Sequence, residues 1–446
     1  MKKILIIGAG RSSTILIEYL LKQSEKYNWK ITVTDNNLSL AQSKINQHPN
    51  GSAEELDVFD IPKRQQLIKD HDFVISMLPA SMHPEVAEDC IRFGKSMATA
   101  SYVSDTMKSL DKVAKEKNIV LFNELGLDPG IDHASAMKII DQIHQQGGKI
   151  ITFHSYCGGL VAPESNDNPW GYKISWNPRN VVMAGNGTAE FLANGKTKLL
   201  PYQRLFEEHQ TIKIDNYTFD AYANRNSIQY IDAYKIPEVK NILRGTLRYE
   251  GFCKAWNVIV NLGLTDDSIF LDNLNSMTYN EWIELFLPES NLSTKEKLKN
   301  IFQHRIDDKV FEKLEYLKFF SNEKIKNPSK GTSAMILQAV MEERLQLKKE
   351  DKDWTVMYHY FEYELNGKQY IIESYFEDKG IDNNHTSMAK TVGLPLGITV
   401  KNYLLGKLHL SGVQIPVIPE IYLPLLDELC DFGIKFKEKK YEKTNH

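Results

Sequence analysis

Cysteine is scarce in this chain: 446 residues include four, Cys90, Cys157, Cys253 and Cys430, with no CxxC pair and no zinc-like spacing. No disulfide framework or metal site is expected, and a reducing cytoplasm is the expected compartment. Long apolar runs are missing too. None approaches the ~18 residues needed to cross a bilayer. The stretch 4–7 is too short for the apolar part of a signal peptide and ends in a glycine turn. A membrane partner is therefore not expected. Charge of one sign is not in excess either: 54 Lys and Arg against 58 Asp and Glu leave a net −4, with a pI near 6.3. That balance excludes a blanket electrostatic grip on nucleic acid. No internal repeat or low-complexity tract occurs. What remains is an ordinary globular composition, 42% hydrophobic and 25% charged. The length allows about three domains.

The first third alternates. Short apolar runs at 4–7, 31–34, 55–59, 73–78, 97–100 and 119–122 are separated by helical stretches near 12–24, 37–47, 62–69, 84–93 and 105–117. Strands buried on both faces read as continuous apolar runs, and helical crossovers imply a parallel sheet. The expected fold class is α/β, with a Rossmann-type doubly wound parallel sheet. After 148 the texture changes. Asn194-Gly195 and Asn366-Gly367 sit between strand-like runs, the signal for tight hairpins. An α+β second domain with a helical insertion follows. The expected division is 1–130 plus about 386–446 for the dinucleotide-binding domain. The substrate domain then takes 131–265 plus about 346–385, with 266–345 as the insertion. The apolar segment 387–405, carrying Gly393-Leu394-Pro395-Leu396-Gly397, is expected to return to the first domain. The charged cluster 435–443 reads as a solvated tail, and the aromatic strands at 354–376 leave a homodimer open.

Gly8-Ala9-Gly10-Arg11-Ser12-Ser13 directly follows the first strand and opens a helix, where a pyrophosphate meets N-terminal amides. Gly8 permits the turn and Gly10 lets backbone approach phosphate. Ser13 stands where the third glycine of the fingerprint would be. Asp35 closes the second strand, positioned to accept hydrogen bonds from ribose hydroxyls. A carboxylate there repels a 2′-phosphate, so NAD is favoured over NADP; Arg11, able to reach a phosphate of either, argues less clearly. Asp35 equally suits a helix cap. Met77-Leu78-Pro79 ends the fourth strand at the edge where ligands lie. Three polar segments, Ser101-Tyr102, 125–133 and 155–164, fall at or near that same edge.

The strings LDPGIDH (127–133), SYCGGL (155–160), APE (162–164), NPWGYKISW (168–176), RGTLRYEGF (244–252) and VGLPLGI (392–398) resemble the glutamate-forming saccharopine dehydrogenase family, also called saccharopine reductase. The resemblance spans nearly the whole chain. It implies interconversion of saccharopine plus water with L-glutamate and 2-aminoadipate 6-semialdehyde, using NAD or NADP, in lysine metabolism. It also implies a stand-alone form without an upstream lysine–ketoglutarate reductase domain. By resemblance, Ser101, Tyr102, Asp128, Arg225, Thr246, Leu247 and Arg248 contact saccharopine, and the backbone at Leu127, Asp128 and Pro129 lies near the nicotinamide. A substrate with three carboxylates calls for arginines, and Arg244 joins Arg225 and Arg248 as a candidate. If 243–249 is a strand, Arg244, Thr246 and Arg248 share one face. Proton transfer has four candidates: Asp128, Tyr102, His133 and Cys157. His133 ranks second, since a histidine in a helix's first turn is more often structural. Cys157 is weighed against a mere space-filling role. The competing readings are a polyamine-type condensing dehydrogenase, whose pocket would want acids, and a catalytically silent dinucleotide sensor.

Overall fold

The computed structural model describes residues 1–184 and 186–443; positions 185 and 444–446, which the sequence reading assigned to the second and first domains, lie outside the described residues. The chain folds into two compact units. One comprises Met1–Gln146 with Asn384–Phe436, the other Gly147–Asn383 with 437–443 among the described residues.

The first unit is a parallel sheet of β1 (Lys2–Ile7), β2 (Trp29–Asp35), β3 (Gly51–Glu55), β4 (Phe73–Ser76), β5 (Ser96–Ala98), β6 (Val120–Phe122) and β7 (Gly412–Gln414), ordered β7-β6-β5-β4-β1-β2-β3. The central strands are buried on both faces (Ile4, Leu5, Ile6, Phe73, Val74, Ile75), as their unbroken apolar runs require. Strand order reverses between β1 and β4, which opens the crevice where such sheets bind ligands. Two details depart from expectation. The third strand is Gly51–Glu55, so the expected strand at 55–59 is loop from 56 on, because an exposed polar edge strand carries no apolar signature. The stretch 105–117 is two short helices, Asp105–Ser109 and Asp111–Glu116.

The helix Ser387–Leu404 packs on Thr14–Tyr27 within this unit, as the apolar segment implied. Glycine sets the spacing. A Cβ at Gly393 would stand 2.7 Å from the backbone nitrogen of Leu16. The helix Ile131–Gln145 also belongs here, not to the second domain: it packs against Pro419–Asp431, and Tyr422 bonds Asp141.

The second unit is built on a mixed nine-stranded sheet. Asn241–Tyr249 runs parallel to the long strand Lys149–Val161, and Asp353–Leu365 pairs with the other edge of that strand antiparallel. Both Asn-Gly turns form hairpins, Ala189–Ala193 with Lys196–Leu200 and Asp353–Leu365 with Lys368–Lys379. The supposed charged tail is a strand, Lys437–Glu442, paired along 370–375. Its side chains are all exposed, so only backbone pairing reveals it. The helices of 266–345 are not a separate body. Trp282, Leu298, Leu314 and Leu337 share one core with Tyr156, Leu247 and Trp354 of the sheet. Among the described residues, no helix is long and apolar enough to cross a membrane.

Candidate active site

In the first unit, the turn after β1 lies against the turn after β4. The Met77 amide donates to Ile7 O at 2.8 Å, and a Cβ on Gly8 would stand 2.9 Å from Met77 O; Gly8 also has φ +104°. Any side chain at Gly8 would break this approach. Gly10 is the opposite case: it is exposed, and an added Cβ would meet nothing within 4 Å. Arg11–Ser13 makes a short 3₁₀ turn into the first helix. Ser13, 1% exposed, donates its hydroxyl to Gly10 O at 2.8 Å, which explains how a serine replaces the third glycine. Open backbone beside a helix start fits a dinucleotide pyrophosphate. Ser12 follows on the same turn, while Met77 and Leu78 are half-buried at the edge.

Asp35 does something the sequence did not disclose. One carboxylate oxygen accepts the Ala9 amide at 2.8 Å and the other accepts the Asn37 amide at 3.0 Å. The carboxylate therefore holds the glycine turn to the end of β2. It also steadies the next helix, whose side-chain cap is Asn37.

Beyond β6, residues 124–132 form a tight knot. Gly126 donates to Pro129 O at 2.9 Å, Ile131 to Gly126 O at 2.9 Å and Asp132 to Leu127 O at 3.1 Å. Gly130, at φ +147°, closes it; a Cβ there would collide with Gly126 O at 2.1 Å. The knot buries Leu127 and Pro129 and leaves Asp128 half-buried, where Oδ1 accepts the Tyr102 hydroxyl at 3.0 Å. The two candidates are thus brought together.

His133 is placed differently. It is completely buried, with Nε2 2.7 Å from Glu124 Oε2, so its ring serves an internal pair. Glu124, absent from the sequence reading, sits at φ +58°, donates its amide to Ser101 O at 3.0 Å and accepts the Val103 amide on Oε1 at 3.0 Å. It clips the Ser101-Tyr102-Val103 turn in place. Its position directly after a predicted strand and ahead of the glycine knot was the available signal.

In the second unit, Arg244 and Arg248 lie in the strand Asn241–Tyr249 as period-two geometry predicts, but both are 3% exposed. Surface salt bridging is excluded for them. Arg244 stacks 4.5 Å from the centre of the Tyr230 ring, and its amide donates to Ser227 Oγ. Arg248 lies between rings, 5.1 Å from Tyr172 and 5.4 Å from Phe252. One guanidinium nitrogen donates to Leu247 O at 2.9 Å, Nε has no hydrogen-bond partner, and no carboxylate among the described residues pairs with it. A buried cation without a counterion is electrostatically suited to receive an anion. Burial also pushes the Tyr172 and Tyr222 phenols up, so both stay neutral donors beside it. Thr246 pairs in register with Tyr222 and Cys157, and Cys157 is buried in the strand. Arg225, exposed at φ +46°, is held to the same neighbourhood: Asn224 donates to Arg244 O at 2.8 Å.

A glycine turn at the switch point of a doubly wound sheet, followed by a unit with buried arginines, defines the class: a dehydrogenase built on a Rossmann-type dinucleotide-binding domain. Comparison with known proteins narrows this. A family model described as the saccharopine dehydrogenase NADP binding domain matches residues 4–122, and one described as the saccharopine dehydrogenase C-terminal domain matches 126–434. The saccharopine dehydrogenase [NADP(+), L-glutamate-forming] of Schizosaccharomyces pombe is 35% identical, covering 98% of this chain and 99% of that protein. The protein so named in Saccharomyces cerevisiae is also 35% identical over 98% of this chain and 99% of its own. The solved apo saccharopine dehydrogenase (L-Glu forming) of Saccharomyces cerevisiae superposes with a TM-score of 0.87 at 34% identity, covering 99% of this chain and 100% of that one. The chain belongs to the saccharopine dehydrogenase family.

One expectation is corrected here. The preference for NAD is not supported, since the matching domain and both relatives carry NADP in their names. The Asp35 carboxylate is bonded to the Ala9 and Asn37 amides.

Proposed function

We propose that this protein oxidises saccharopine with NADP and water to L-glutamate and 2-aminoadipate 6-semialdehyde, and runs the reverse condensation, as a step of lysine metabolism. The observation that carries this reading is Arg248, a buried guanidinium without a carboxylate partner among the described residues, in the unit matched by the family's C-terminal domain. A polyamine-type substrate would call for buried acids instead.

The bound nicotinamide supplies a hydride acceptor for the carbon beside the substrate's secondary amine. Gly8, Gly10, Ser12 and Ser13 offer backbone to the pyrophosphate, and Arg11, exposed on the first turn, supplies a cation for phosphate. Asp128 takes the proton from the substrate ammonium, which must leave before hydride departs. Having released that proton to bulk water, Asp128 takes one from the water that attacks the resulting iminium carbon. Return of this second proton to nitrogen, with loss of the hydroxyl proton as the C–N bond breaks and the aldehyde forms, releases glutamate from the carbinolamine. Tyr102, bonded to Asp128, orients the carboxylate and steadies the water. Ser101, Arg225, Thr246, Leu247 and Arg248 hold the substrate. Arg244, stacked on Tyr230, supports the Arg225 loop through its backbone. Cys157 is a compact neighbour of Thr246, and His133 serves through Glu124.

The test mixes purified protein with saccharopine and NADP and follows absorbance of the reduced cofactor. Turnover with saccharopine, and none with a polyamine, is expected. No turnover with saccharopine under either nicotinamide cofactor would overturn the reading.

A further inference from the structure

His83 opens the helix His83–Phe93 and is 3% exposed. Its ring meets three hydroxyls. Nδ1 lies 2.8 Å from Ser76 Oγ, and Nε2 lies 2.8 Å from Ser101 Oγ and 3.0 Å from Thr99 Oγ1. Ser76 ends β4, while Thr99 and Ser101 follow β5, so one imidazole joins two strand ends at the ligand-binding edge of the sheet.

The two neutral tautomers are not equivalent here. With the proton on Nδ1, the Thr99 and Ser101 hydroxyls would compete for one lone pair on Nε2. With the proton on Nε2, a single N–H faces both oxygens and Nδ1 accepts from Ser76. The Thr99 oxygen also accepts the Ser101 amide at 3.3 Å, which suits an oxygen acting as acceptor. In the second tautomer both ring nitrogens are used, and the Ser101 hydroxyl proton is left to donate elsewhere.

We propose that His83, neutral and protonated on Nε2, is a positioning residue: it holds the Ser101 oxygen as an acceptor so that the Ser101 hydroxyl donates to a carboxylate of the substrate. This rests on the reading of Ser101 as a substrate contact. Burial pushes the His83 pKa down to about 4, so the ring stays neutral through the range in which the enzyme is assayed.

The experiment is steady-state kinetics of the full-length enzyme with saccharopine and NADP for H83Q, H83N, S101A and the H83N/S101A double variant. The glutamine amide reaches the place of Nε2, whereas asparagine replaces only Nδ1. H83Q is expected near wild type. H83N and S101A should each raise the KM for saccharopine about tenfold, the worth of one hydrogen bond to a charged group, with kcat and the KM for NADP little changed. The double variant should be no worse than S101A. If S101A raises KM but the two effects multiply in the double variant, the inference falls and the substrate role of Ser101 stands. Should S101A leave KM unmoved, both fall. Folded H83Q as impaired as H83N overturns the inference, as does a ¹⁵N spectrum placing the His83 proton on Nδ1.

Discussion

Glu124 and His133 face each other at 2.7 Å in the interior of the first unit, and Glu124 simultaneously grips both the Ser101 carbonyl and the Val103 amide. Two chain segments that carry Tyr102 and Asp128 are fastened by this one residue, through its backbone amide to Ser101 and its carboxylate to Val103. Leaving a buried hydrogen-bonding group without its partner is expected to destabilise by about 1–3 kcal/mol. E124A should therefore lower the urea midpoint and also depress kcat/KM, because the Tyr102 turn loosens. H133A should give a similar stability loss, and the double variant less than the sum. Additive losses with unchanged kinetics would count against the clip.

The Tyr102–Asp128 bond makes a graded prediction. D128A should lower kcat/KM for saccharopine by about 100-fold or more, the range for losing a general base. Y102F removes an orienting bond only and should lower it by roughly tenfold. Equal kinetics in D128A and wild type would remove Asp128 from the chemistry.

For Arg248, activity and stability should move apart. R248M fills a similar volume and removes an unpaired buried cation, so thermal melting of the ligand-free protein should stay level or rise. The kcat/KM for saccharopine should fall by about 100-fold, through loss of a charge-assisted contact. A lower Tm with unchanged KM would assign Arg248 to structure alone.

Asp35 is predicted to act on cofactor binding through the glycine turn. D35A strips the acceptor from the Ala9 and Asn37 amides, and should raise the KM for NADPH and NADH by similar factors. Loss confined to NADH would restore a ribose-reading role.

Gly393 poses two opposed effects. Alanine in a helix interior gains roughly 1 kcal/mol over glycine. Here the new methyl would press on the Leu16 backbone at 2.7 Å, and overpacking costs about 1–3 kcal/mol. Because backbone cannot swing aside, the clash should win, and G393A should melt below wild type in a calorimetric scan.

Local chemistry made much of this molecule readable. Ile4–Ile7 and Phe73–Ser76 announced themselves because strands covered on both faces need no polar alternation. The Gly8-Ala9-Gly10 turn and the two Asn-Gly hairpins were legible because positive φ is a property of the residue itself. Edge strands escaped for the converse reason. Gly51–Glu55 and Lys437–Glu442 expose their side chains, and their pairing is a matter of backbone alone.

The chain order by itself therefore determined the layered architecture, the place of the dinucleotide turn and the alignment of Arg244, Thr246 and Arg248 on one strand face, since each follows from backbone periodicity or single-residue conformational preference. Tertiary structure alone decided which polar groups are buried and with whom. It fastened Asp35 to the glycine turn, gave His133 to Glu124 and His83 to three hydroxyls, and left Arg248 buried without a carboxylate partner among the described residues. Such partnerships depend on distance in space between residues far apart in sequence, and on the loss of water around them, neither of which composition or spacing records.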